Sequence, residues 1–253
     1  MNFIGFIPAR YGSTRFPGKP LHVIEGKSMI QRVYEQCAKS KVLSALAVAT
    51  DDERIFKHVI SFGGKAIMTK SEHKCGTERC HEAFQILKSE NKFSDNDVVI
   101  NIQGDEPLIN PEQINLVSSL FARKEVHIAT LIRKLESETD LKSNTVIKVV
   151  IDKNKKALYF SRAAIPYLAG NSENKNISEN NFFMHIGIYA YRASVLNEIV
   201  KLQQSSLEKA ESLEQLRWLE NGFPIHVEFT KYESHSVDIP SDIDKIIKLL
   251  KEK

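Results

Sequence analysis

The chain opens with two adjoining stretches, Phe3-Ile-Gly-Phe-Ile7 and Pro8-Ala-Arg-Tyr-Gly-Ser-Thr-Arg-Phe-Pro-Gly-Lys-Pro20. The first stretch has no polar side chain and predicts a buried strand. The second brings three cations, Arg10, Arg15 and Lys19, into ten residues. A cationic loop that leaves the carboxyl end of a first strand lies where open α/β sheets bind their ligands. These residues therefore predict an α/β fold with an anion-binding loop directly after its first strand.

This loop combines stiffness with the possibility of close backbone approach. Gly12 and Gly18 permit tight turns, while Pro8, Pro17 and Pro20 restrict the backbone. The positive charge suits a polyphosphate, although the pattern is neither a P-loop nor a G-x-G-x-x-G fingerprint. A solvated basic loop is the alternative, but surface loops usually mix charges of both signs.

Composition places the chain among ordinary soluble proteins. It has 253 residues, 42% hydrophobic and 26% charged residues, and a net charge of +3. That charge is too small to predict a nucleic-acid or membrane partner. Cys37, Cys75 and Cys80 lack metal-ligand spacing and cannot all pair, which favours reduced thiols. With neither a secretion-like N-terminus nor a long apolar run, we expect a cytoplasmic protein.

Strands and helices alternate along the first half of the chain. Asn110-Pro-Glu-Gln113 has the order of a capping box that opens a helix. This alternation predicts right-handed βαβ units around a mostly parallel sheet. The periodicity places strands at 43–50, 66–68 and 98–103, and helices at 29–37, 55–60, 77–89 and 110–121.

The pattern changes after about residue 126. The polar stretch 171–181 predicts a mobile loop, and 207–219 predicts one helix. We predict a single α/β domain over 1–253, whose middle third is a β-rich excursion. Strands are expected at 127–133, 146–151, 157–161, 185–191 and 225–229, with a hairpin turn at 153–156 and a terminal helix from Ser241.

Two aspartates are candidates for holding a metal ion. Asp105, in Gln103-Gly-Asp-Glu-Pro107, follows a predicted strand, and Asp238 follows the last one. Mg²⁺ favours one or two carboxylates together with phosphate oxygens and water. Turn formation is the alternative role for Asp105. Asp242 is the weaker ligand candidate because a carboxylate at the start of the terminal helix complements its dipole.

A loop-to-helix junction, His73-Lys-Cys-Gly-Thr-Glu-Arg79, is a candidate nucleotide contact. Helix N-terminal amides near Gly76 and Thr77 can bind a base or ribose, although Thr77 fits equally as a simple N-cap. Arg79 and Arg162 each suit a bidentate grip on a carboxylate, with a surface ion pair as the commoner explanation.

Two further candidates have ordinary structural alternatives. His185 alternates with apolar residues on a predicted strand, where a structural histidine is the commoner role. Glu214 lies on a predicted amphipathic helix, where it would serve equally as a solvated side chain. Cys75 and Cys80 have no evident activating base, so nucleophilic cysteine catalysis is not expected.

Taken together, seven motifs resemble those of the 3-deoxy-manno-octulosonate (KDO) cytidylyltransferase family over essentially the whole chain. Cys75 stands where that family is expected to have serine, and Ile239-Pro-Ser replaces an expected Thr-Pro-Glu. In order, the motifs are Ile7-Pro-Ala-Arg-Tyr-Gly-Ser-Thr-Arg-Phe-Pro-Gly-Lys19, Gly76-Thr-Glu-Arg79, Gln103-Gly-Asp-Glu-Pro107, Leu158-Tyr-Phe-Ser-Arg-Ala163, His185-Ile-Gly-Ile-Tyr189, Leu213-Glu-Gln-Leu-Arg217 and Val237-Asp238.

The resemblance implies a nucleotide-diphospho-sugar-transferase-like (Rossmann-like) fold. It also implies a homodimer, with about 127–192 serving sugar binding and dimerisation. The implied reaction is Mg²⁺-dependent transfer of CMP from CTP to KDO, with release of pyrophosphate, for lipopolysaccharide synthesis. The anomeric hydroxyl of KDO would attack the α-phosphorus in line, without a covalent intermediate.

The resemblance also implies roles for individual residues. Asp105 and Asp238 would hold Mg²⁺ and, with Arg10, Arg15 and Lys19, form the catalytic set. Nucleotide contacts would come from Ala9, Arg10, Gly12, Ser13, Lys19, His73, Gly76, Thr77 and Gln103. Contacts to the sugar acid would come from Arg79, Arg162, His185, Tyr189, Glu214 and Gln215.

Three alternatives remain open at the level of sequence. The acceptor could be an amino-substituted KDO or a sialic acid. A glycosyltransferase would share the sheet architecture, but it normally has paired D-x-D carboxylates, whereas residues 105–107 are Asp-Glu-Pro. A non-catalytic regulator would bind CTP and release no pyrophosphate.

Overall fold

The computed structural model describes residues 1–13, 15–90, 93–168 and 181–252. The strands found there are β1 (Phe3–Ala9), β2 (Val23–Ile24), β3 (Lys27–Ser28), β4 (Leu43–Thr50), β5 (Ala66–Met68), β6 (Val98–Asn101), β7 (Ile128–Lys134), β8 (Lys148–Ile151), β9 (Ala157–Ser161), β10 (Phe183–Arg192) and β11 (Ile225–Phe229).

Helices cover both faces of the main sheet. Short 3₁₀ helices occur at Lys19–Leu21 and Leu120–Ala122. The α-helices of the described ranges are α1 (Met29–Cys37), α2 (Glu53–Ser61), α3 (Gly76–Ser89), α4 (Pro111–Ser119), α5 (Glu138–Lys142), α6 (Ala193–Ile199), α7 (Ser206–Glu211), α8 (Gln215–Glu220) and α9 (Asp242–Lys251). None of these helices has the length and apolar character needed to cross a bilayer.

The main sheet has the order β11-β7-β10-β6-β1-β4-β5, and β8 and β9 extend it from β10. Along that order, β10 runs antiparallel to both of its neighbours, whereas the other adjacent pairs are parallel. The small hairpin of β2 and β3 stands apart. The predicted mixed α/β architecture with a mostly parallel sheet is confirmed.

Strand β1 lies at the point where the order of the sheet reverses. It pairs in parallel with β4 on one side and with β6 on the other. The chain proceeds from β1 to β4 and β5, then returns to β6 across β1. Crevices at such a switch point, outside the carboxyl ends of the strands, are the usual ligand sites of open α/β sheets. The loops after β1 and β6 leave the sheet there.

Burial on both faces explains the continuous apolar run of β1. Ile4 and Phe6 pack into the core on one face of the sheet, beside Phe84 of α3. Ile7 packs into the core on the other face, beside Ile30 of α1. A central strand with two covered faces needs apolar residues at successive positions rather than at alternate ones.

The middle third is β-rich, as predicted. The turn between β8 and β9 is held by Asp152, whose carboxylate accepts hydrogen bonds from the backbone N–H groups of Asn154 and Lys156, both at 2.8 Å. Lys155 takes a left-handed conformation in it, with φ of 58°. The hairpin turn at 153–156 is thereby confirmed. The predicted mobile loop at 171–181 lies outside the described residues apart from Asn181.

The single helix predicted over 207–219 is wrong, because the chain forms α7 and α8 with a sharp turn between them. Ser212 adopts φ of 53° and ψ of 47°, which ends α7. The turn folds α8 back so that Arg217 Nη2 lies 2.6 Å from Glu208 Oε1 in a largely buried ion pair. Hydrophobic spacing continues across the turn and conceals it.

Helix α4 provides a test of local stability. The Asn110 side chain accepts a hydrogen bond from Glu112 N, and Gln113 completes the capping box. Ser241 occupies the N-cap of α9 but makes no side-chain capping bond. We expect Asn110→Ala to lower the free energy of unfolding by about 1 kcal/mol. Ser241→Ala is the control and should change it little. Urea denaturation measures both, and equal losses would contradict a specific capping role for Asn110.

Candidate active site

A cleft of about 270 Å³ lies at the carboxyl ends of β1 and β6. Eleven of the predicted site residues line it: Ala9, Arg10, Ser13, Arg15, Lys19, His73, Gly76, Arg79, Gln103, Asp105 and Asp238. Five other lining residues were not predicted: Pro8, Pro20, Lys74, Cys75 and Gly104. The remaining candidates lie outside this lining: Gly12, Thr77, Arg162, His185, Tyr189, Glu214 and Gln215.

The basic loop is folded around the backbone of Tyr11. The Tyr11 carbonyl oxygen accepts hydrogen bonds from the N–H groups of Ser13 and Gly18, both at 2.9 Å. The Tyr11 ring packs against Arg54, whose guanidinium carbon lies 3.4 Å from the ring centroid. Asp52 holds that guanidinium through two hydrogen bonds of 3.0 and 2.6 Å. The basic loop is therefore held against the start of α2 through Tyr11.

Cations of the basic loop pair with the two candidate metal ligands. Lys19 Nζ lies 2.6 Å from Asp105 Oδ2 and donates to the Val237 carbonyl oxygen at 2.7 Å. Arg15 Nη2 lies 2.9 Å from Asp238 Oδ1. The Lys19 pair is the more buried, with side-chain exposures of 13% and 26%, against 66% and 48% for the Arg15 pair. Only the Lys19 pair is therefore sheltered enough for a strong electrostatic interaction.

Asp105 and Asp238, the two candidate metal ligands, lie on segments that a backbone hydrogen bond joins. The Val237 N–H donates to the Asp105 carbonyl oxygen at 2.9 Å, which joins the two segments, and both aspartates line the cleft. Within the described ranges, no three His, Cys, Asp or Glu residues form a metal-binding group. Carboxylate oxygens are ligands that Mg²⁺ favours, together with phosphate oxygens and water, so the chemistry of these two side chains is compatible with that ion.

Asp242 has the competing role that its position predicts. Its Oδ2 accepts hydrogen bonds from the backbone N–H groups of Asp238 and Ile239, at 2.8 and 3.0 Å. The carboxylate thus stabilises the chain at the start of α9. Asp238 keeps its own carboxylate directed at Arg15 and the cleft.

The N-terminus of α3 forms one wall of the cleft. Cys75 is its N-cap and makes no side-chain capping bond, so Thr77 is not the N-cap. Instead, Cys75 Sγ donates to Glu214 Oε1 at 3.1 Å, and Thr77 Oγ1 donates to Glu214 Oε2 at 2.9 Å. Burial raises the pKa of the thiols of Cys75 and Cys80, which agrees with the absence of a cysteine nucleophile.

Glu214 is therefore not a solvated side chain. Both of its oxygens are bound by side chains of the α3 N-terminus, and burial raises the pKa of its carboxyl group. Gln215, the next residue, is 6% exposed. The turn between α7 and α8 thus places Glu214 and Gln215 behind the α3 N-terminus, which forms that wall of the cleft.

A second polar group lies behind the cleft, along β10. Gln103 Nε2 donates to the Gly187 carbonyl oxygen at 2.9 Å and so joins the cleft to this strand. His185 Nε2 lies 2.9 Å from Thr130 Oγ1, and burial lowers the pKa of its imidazole to about 3. His185 is therefore neutral near pH 7. The buried Tyr189 hydroxyl has no hydrogen-bond partner among the described residues, which leaves it available to a polar ligand.

Arg79 is buried, so the surface ion pair considered for it is wrong. It is 3% exposed, and Nη1 donates to Thr69 Oγ1 at 2.6 Å and to the Lys70 carbonyl oxygen at 3.3 Å. Nη2 lies 3.3 Å from Asp51 Oδ2. These contacts join α3 to the ends of β4 and β5. A substrate role for Arg79 stays a prediction, and its present partners give it a structural one.

Arg162 braces the turn that precedes α8. Its guanidinium donates to the carbonyl oxygens of Glu211, Asn144 and Ser212, at 2.8, 3.0 and 3.5 Å. It does not line the cleft, and binding of a substrate carboxylate also stays a prediction for this residue.

Comparison with known proteins agrees with this geometry. A family model described as "Cytidylyltransferase" matches residues 4–234. The chain is 51% identical to the 3-deoxy-manno-octulosonate cytidylyltransferase of Parabacteroides distasonis, over 99% of this chain and 98% of that protein. The corresponding protein of Cytophaga hutchinsonii is 47% identical over 97% of this chain and 96% of its own length. The chain belongs to the 3-deoxy-manno-octulosonate cytidylyltransferase family.

The fold of this family member is shared by a solved structure with bound nucleotide. CMP:2-keto-3-deoxy-manno-octonic acid synthetase complexed with CTP superposes with a TM-score of 0.88 at 38% identity, covering 100% of this chain and 99% of that one. A cytidylyltransferase from Leptospira borgpetersenii has a TM-score of 0.64 at 15% identity and shares the fold.

Sequence reasoning missed Glu106 in the Gln103–Pro107 segment of this cytidylyltransferase, and it expected an open backbone at Gly104 without predicting how closely that residue is packed. A Cβ at Gly104 would lie 2.8 Å from the Pro8 carbonyl oxygen, so glycine is required where the two backbones meet. Glu106 is 7% exposed, burial raises the pKa of its carboxyl group to about 7, and Ser234 Oγ donates to it at 2.7 Å. The local sequence gives no sign that Glu106 points inward while Asp105 faces the cleft.

The buried position of Arg79 leads to a stability prediction for this cytidylyltransferase. Arg79→Met keeps the length of the side chain but leaves Asp51 and the Lys70 carbonyl without their donor. We expect the free energy of unfolding to fall by about 2 kcal/mol, measured by urea denaturation. Lys57→Met breaks the fully exposed Lys57–Glu53 pair and should leave the transition unchanged. A normally stable Arg79→Met variant with impaired acid use would instead assign Arg79 to the substrate.

Proposed function

We propose that this protein transfers CMP from CTP to KDO, giving CMP-KDO and pyrophosphate and so activating KDO for lipopolysaccharide synthesis. One observation carries the proposal. The cleft at the switch point of the sheet places the cationic loop, the α3 N-terminus and two carboxylates around one space. Full-length similarity to the cytidylyltransferases supports the same activity.

For the triphosphate we propose contacts to Arg10, Arg15, Lys19 and backbone amides near Gly12 and Ser13. Lys19 and Arg15 form ion pairs with Asp105 and Asp238. A triphosphate competes strongly for these two cations because it carries more negative charge than a single carboxylate does. Binding of CTP would then transfer both cations to phosphate and leave the two carboxylates available to a metal ion.

Asp105 and Asp238 would hold Mg²⁺ in this complex. When bound, Mg²⁺ supplies positive charge against the charge that develops on the transferred phosphate and the leaving pyrophosphate. Arg15 and Lys19 add fixed positive charge on the same groups. The anomeric hydroxyl of KDO would attack the α-phosphorus, forming a P–O bond as the bond to pyrophosphate breaks. Here the protein acts by positioning and electrostatic stabilisation.

The cytidine end would be bound at the α3 N-terminus. Gly76 lies close to the Pro8 side chain near the end of β1, since a Cβ at position 76 would lie 3.1 Å from Pro8 Cγ. Free helix amides beside His73 and Gly76, together with Ala9 and Gln103, would bind the ribose and base. Thr77 would act from behind by fixing Glu214.

The sugar acid would be bound on the side of β10 and α8. Tyr189 offers an unpaired buried hydroxyl, and Glu214 and Gln215 offer acceptors and donors for sugar hydroxyls. His185 is neutral and would serve as a hydrogen-bonding wall rather than as a cation. Arg162 supplies positive charge nearby, although its contacts to three carbonyl oxygens must loosen for a direct grip on a carboxylate.

We also propose a cytoplasmic homodimer. Cys37, Cys75 and Cys80 are free, as expected in a reducing compartment. Large apolar side chains are exposed within or near the β-rich region 127–192. They include Leu158 at 61%, Tyr167 at 84% and Phe229 at 41% exposure, which suits burial against a second copy.

A pyrophosphate-release assay tests the activity. CTP, UTP, ATP and GTP are each supplied with and without KDO, and the product is identified by mass spectrometry. We expect release only when CTP and KDO are both present. An amino-substituted KDO and a sialic acid form two further arms, and faster turnover with either would change the acceptor. Binding of CTP without release in any arm would favour the regulator.

The metal assignment predicts the effect of one substitution. Asp105→Asn keeps the shape of the side chain and removes its charge, so turnover should fall at least about 100-fold, or ~2.7 kcal/mol in the barrier. Asp238→Asn should behave likewise, and the double variant should lose less than the sum if one ion is shared. Asp244→Asn, at an exposed aspartate in the first turn of α9, is the matched control and should retain activity. Near-normal turnover of Asp105→Asn at low Mg²⁺ would exclude Asp105 as a ligand.

A further inference from the structure

Glu106 is a buried acid that the proposed reaction does not use. It lies next to Asp105, but it is only 7% exposed and does not line the cleft. Its Oε2 accepts a hydrogen bond of 2.7 Å from the Ser234 hydroxyl, 128 positions further along the chain. Successive side chains therefore point in opposite directions here, with Asp105 facing the cleft and Glu106 facing the protein.

The Glu106–Ser234 bond joins the two segments that carry the proposed metal ligands. Asp105 follows β6, and Asp238 lies in the irregular segment between β11 and α9. The backbone bond from Val237 N–H to the Asp105 carbonyl oxygen, 2.9 Å long, is a second link between the same segments. One link uses the Asp105 carbonyl oxygen and the other uses the Glu106 side chain. Together they define the distance and the orientation of the two segments, whereas a single link would leave a hinge.

A third link is exposed to the ligand. Lys19 Nζ contacts Asp105 Oδ2 and the Val237 carbonyl oxygen, and Lys19 lines the cleft. A triphosphate that attracts this ammonium group weakens the link at the moment when the carboxylates must hold their positions. Neither Glu106 nor Ser234 lines the cleft, so a triphosphate bound there would not compete for their hydrogen bond.

We propose that Glu106, through Ser234, is a positioning residue that keeps Asp105 and Asp238 at the separation a shared divalent cation requires. The inference rests on the proposed function, because it takes these two aspartates as the metal ligands. It predicts that the hydroxyl of Ser234 affects metal binding without contacting the metal, and that it does not affect capture of CTP in the absence of metal.

The test measures Mn²⁺ binding by electron paramagnetic resonance in the CTP complex without a sugar acid, so that no turnover occurs. Ser234→Ala should weaken Mn²⁺ binding about 5- to 10-fold, while CTP affinity measured without metal stays within about twofold. Ser234→Thr keeps the hydroxyl and should restore tight binding. Ser236→Ala removes an exposed hydroxyl from the same segment and should have no effect. Thermal unfolding of each variant serves as the folding control.

Glu106→Gln separates the hydrogen bond from the charge. Its amide oxygen can still accept from Ser234, so Mn²⁺ binding should stay within about twofold of wild type. Weak binding in Glu106→Gln together with normal binding in Ser234→Ala would overturn the inference, as would normal binding in both variants. Asp105→Asn and Asp238→Asn complete the set. If both bind Mn²⁺ normally, the metal assignment itself fails, and the positioning role fails with it.

Discussion

The parallel pairing of β1 with β6 is the constraint on which the candidate site depends. Their register sets Phe6 opposite Asn101, so the chain leaves both strands at the same edge of the sheet. The cationic loop and the Gln103–Pro107 segment consequently begin within a few ångströms of each other. The contact is so close that Gly104 has no room for a side chain beside the Pro8 carbonyl oxygen. Without this pairing, the position of the cationic loop relative to the Gln103–Pro107 segment would not be fixed.

Charge in the cleft is balanced locally before any ligand arrives. Each candidate metal-binding aspartate has a cation of the basic loop beside it. These pairs reduce the repulsion between neighbouring carboxylates and hold the loop near the position that a triphosphate requires. Under the proposed function they would also make metal and nucleotide binding interdependent, because the cations beside the carboxylates are those that the phosphates would attract.

The sequence predicts those parts of the structure that local chemistry determines. The apolar run of β1, the capping box at Asn110 and the turn at Asp152 follow from short-range rules, and each is confirmed. The split between α7 and α8 does not, because it depends on a left-handed Ser212 and on an ion pair that forms only after the chain folds back. Hydrophobic spacing alone continues through such a turn.

The same distinction separates the site residues. Clustered charges near the ends of strands identified the cleft, since strand order brings strand ends together. Burial of individual polar groups escaped prediction. Arg79 is enclosed by partners from two segments, those that follow β4 and β5, and Glu214 is held by the α3 N-terminus. Glu106 is turned inward beside an outward-facing neighbour. Each of these environments is formed by residues far apart in sequence, so no local sequence pattern predicts it.

The stacking of Arg54 on Tyr11 has a thermodynamic consequence for ligand binding. Apart from the turn at Lys19–Leu21, the described part of the basic loop has no regular structure that would restrict its motion. Its motion is restricted instead by the packing of Arg54 on the Tyr11 ring and by the two hydrogen bonds between Arg54 and Asp52. The two hydrogen bonds to the Tyr11 carbonyl oxygen restrict it further. The conformational entropy of the loop is thus lost during folding rather than during nucleotide capture. A preorganised loop converts more of its electrostatic attraction into affinity. Helix α2, none of whose residues lines the cleft, would in this way contribute to the strength with which a triphosphate is held.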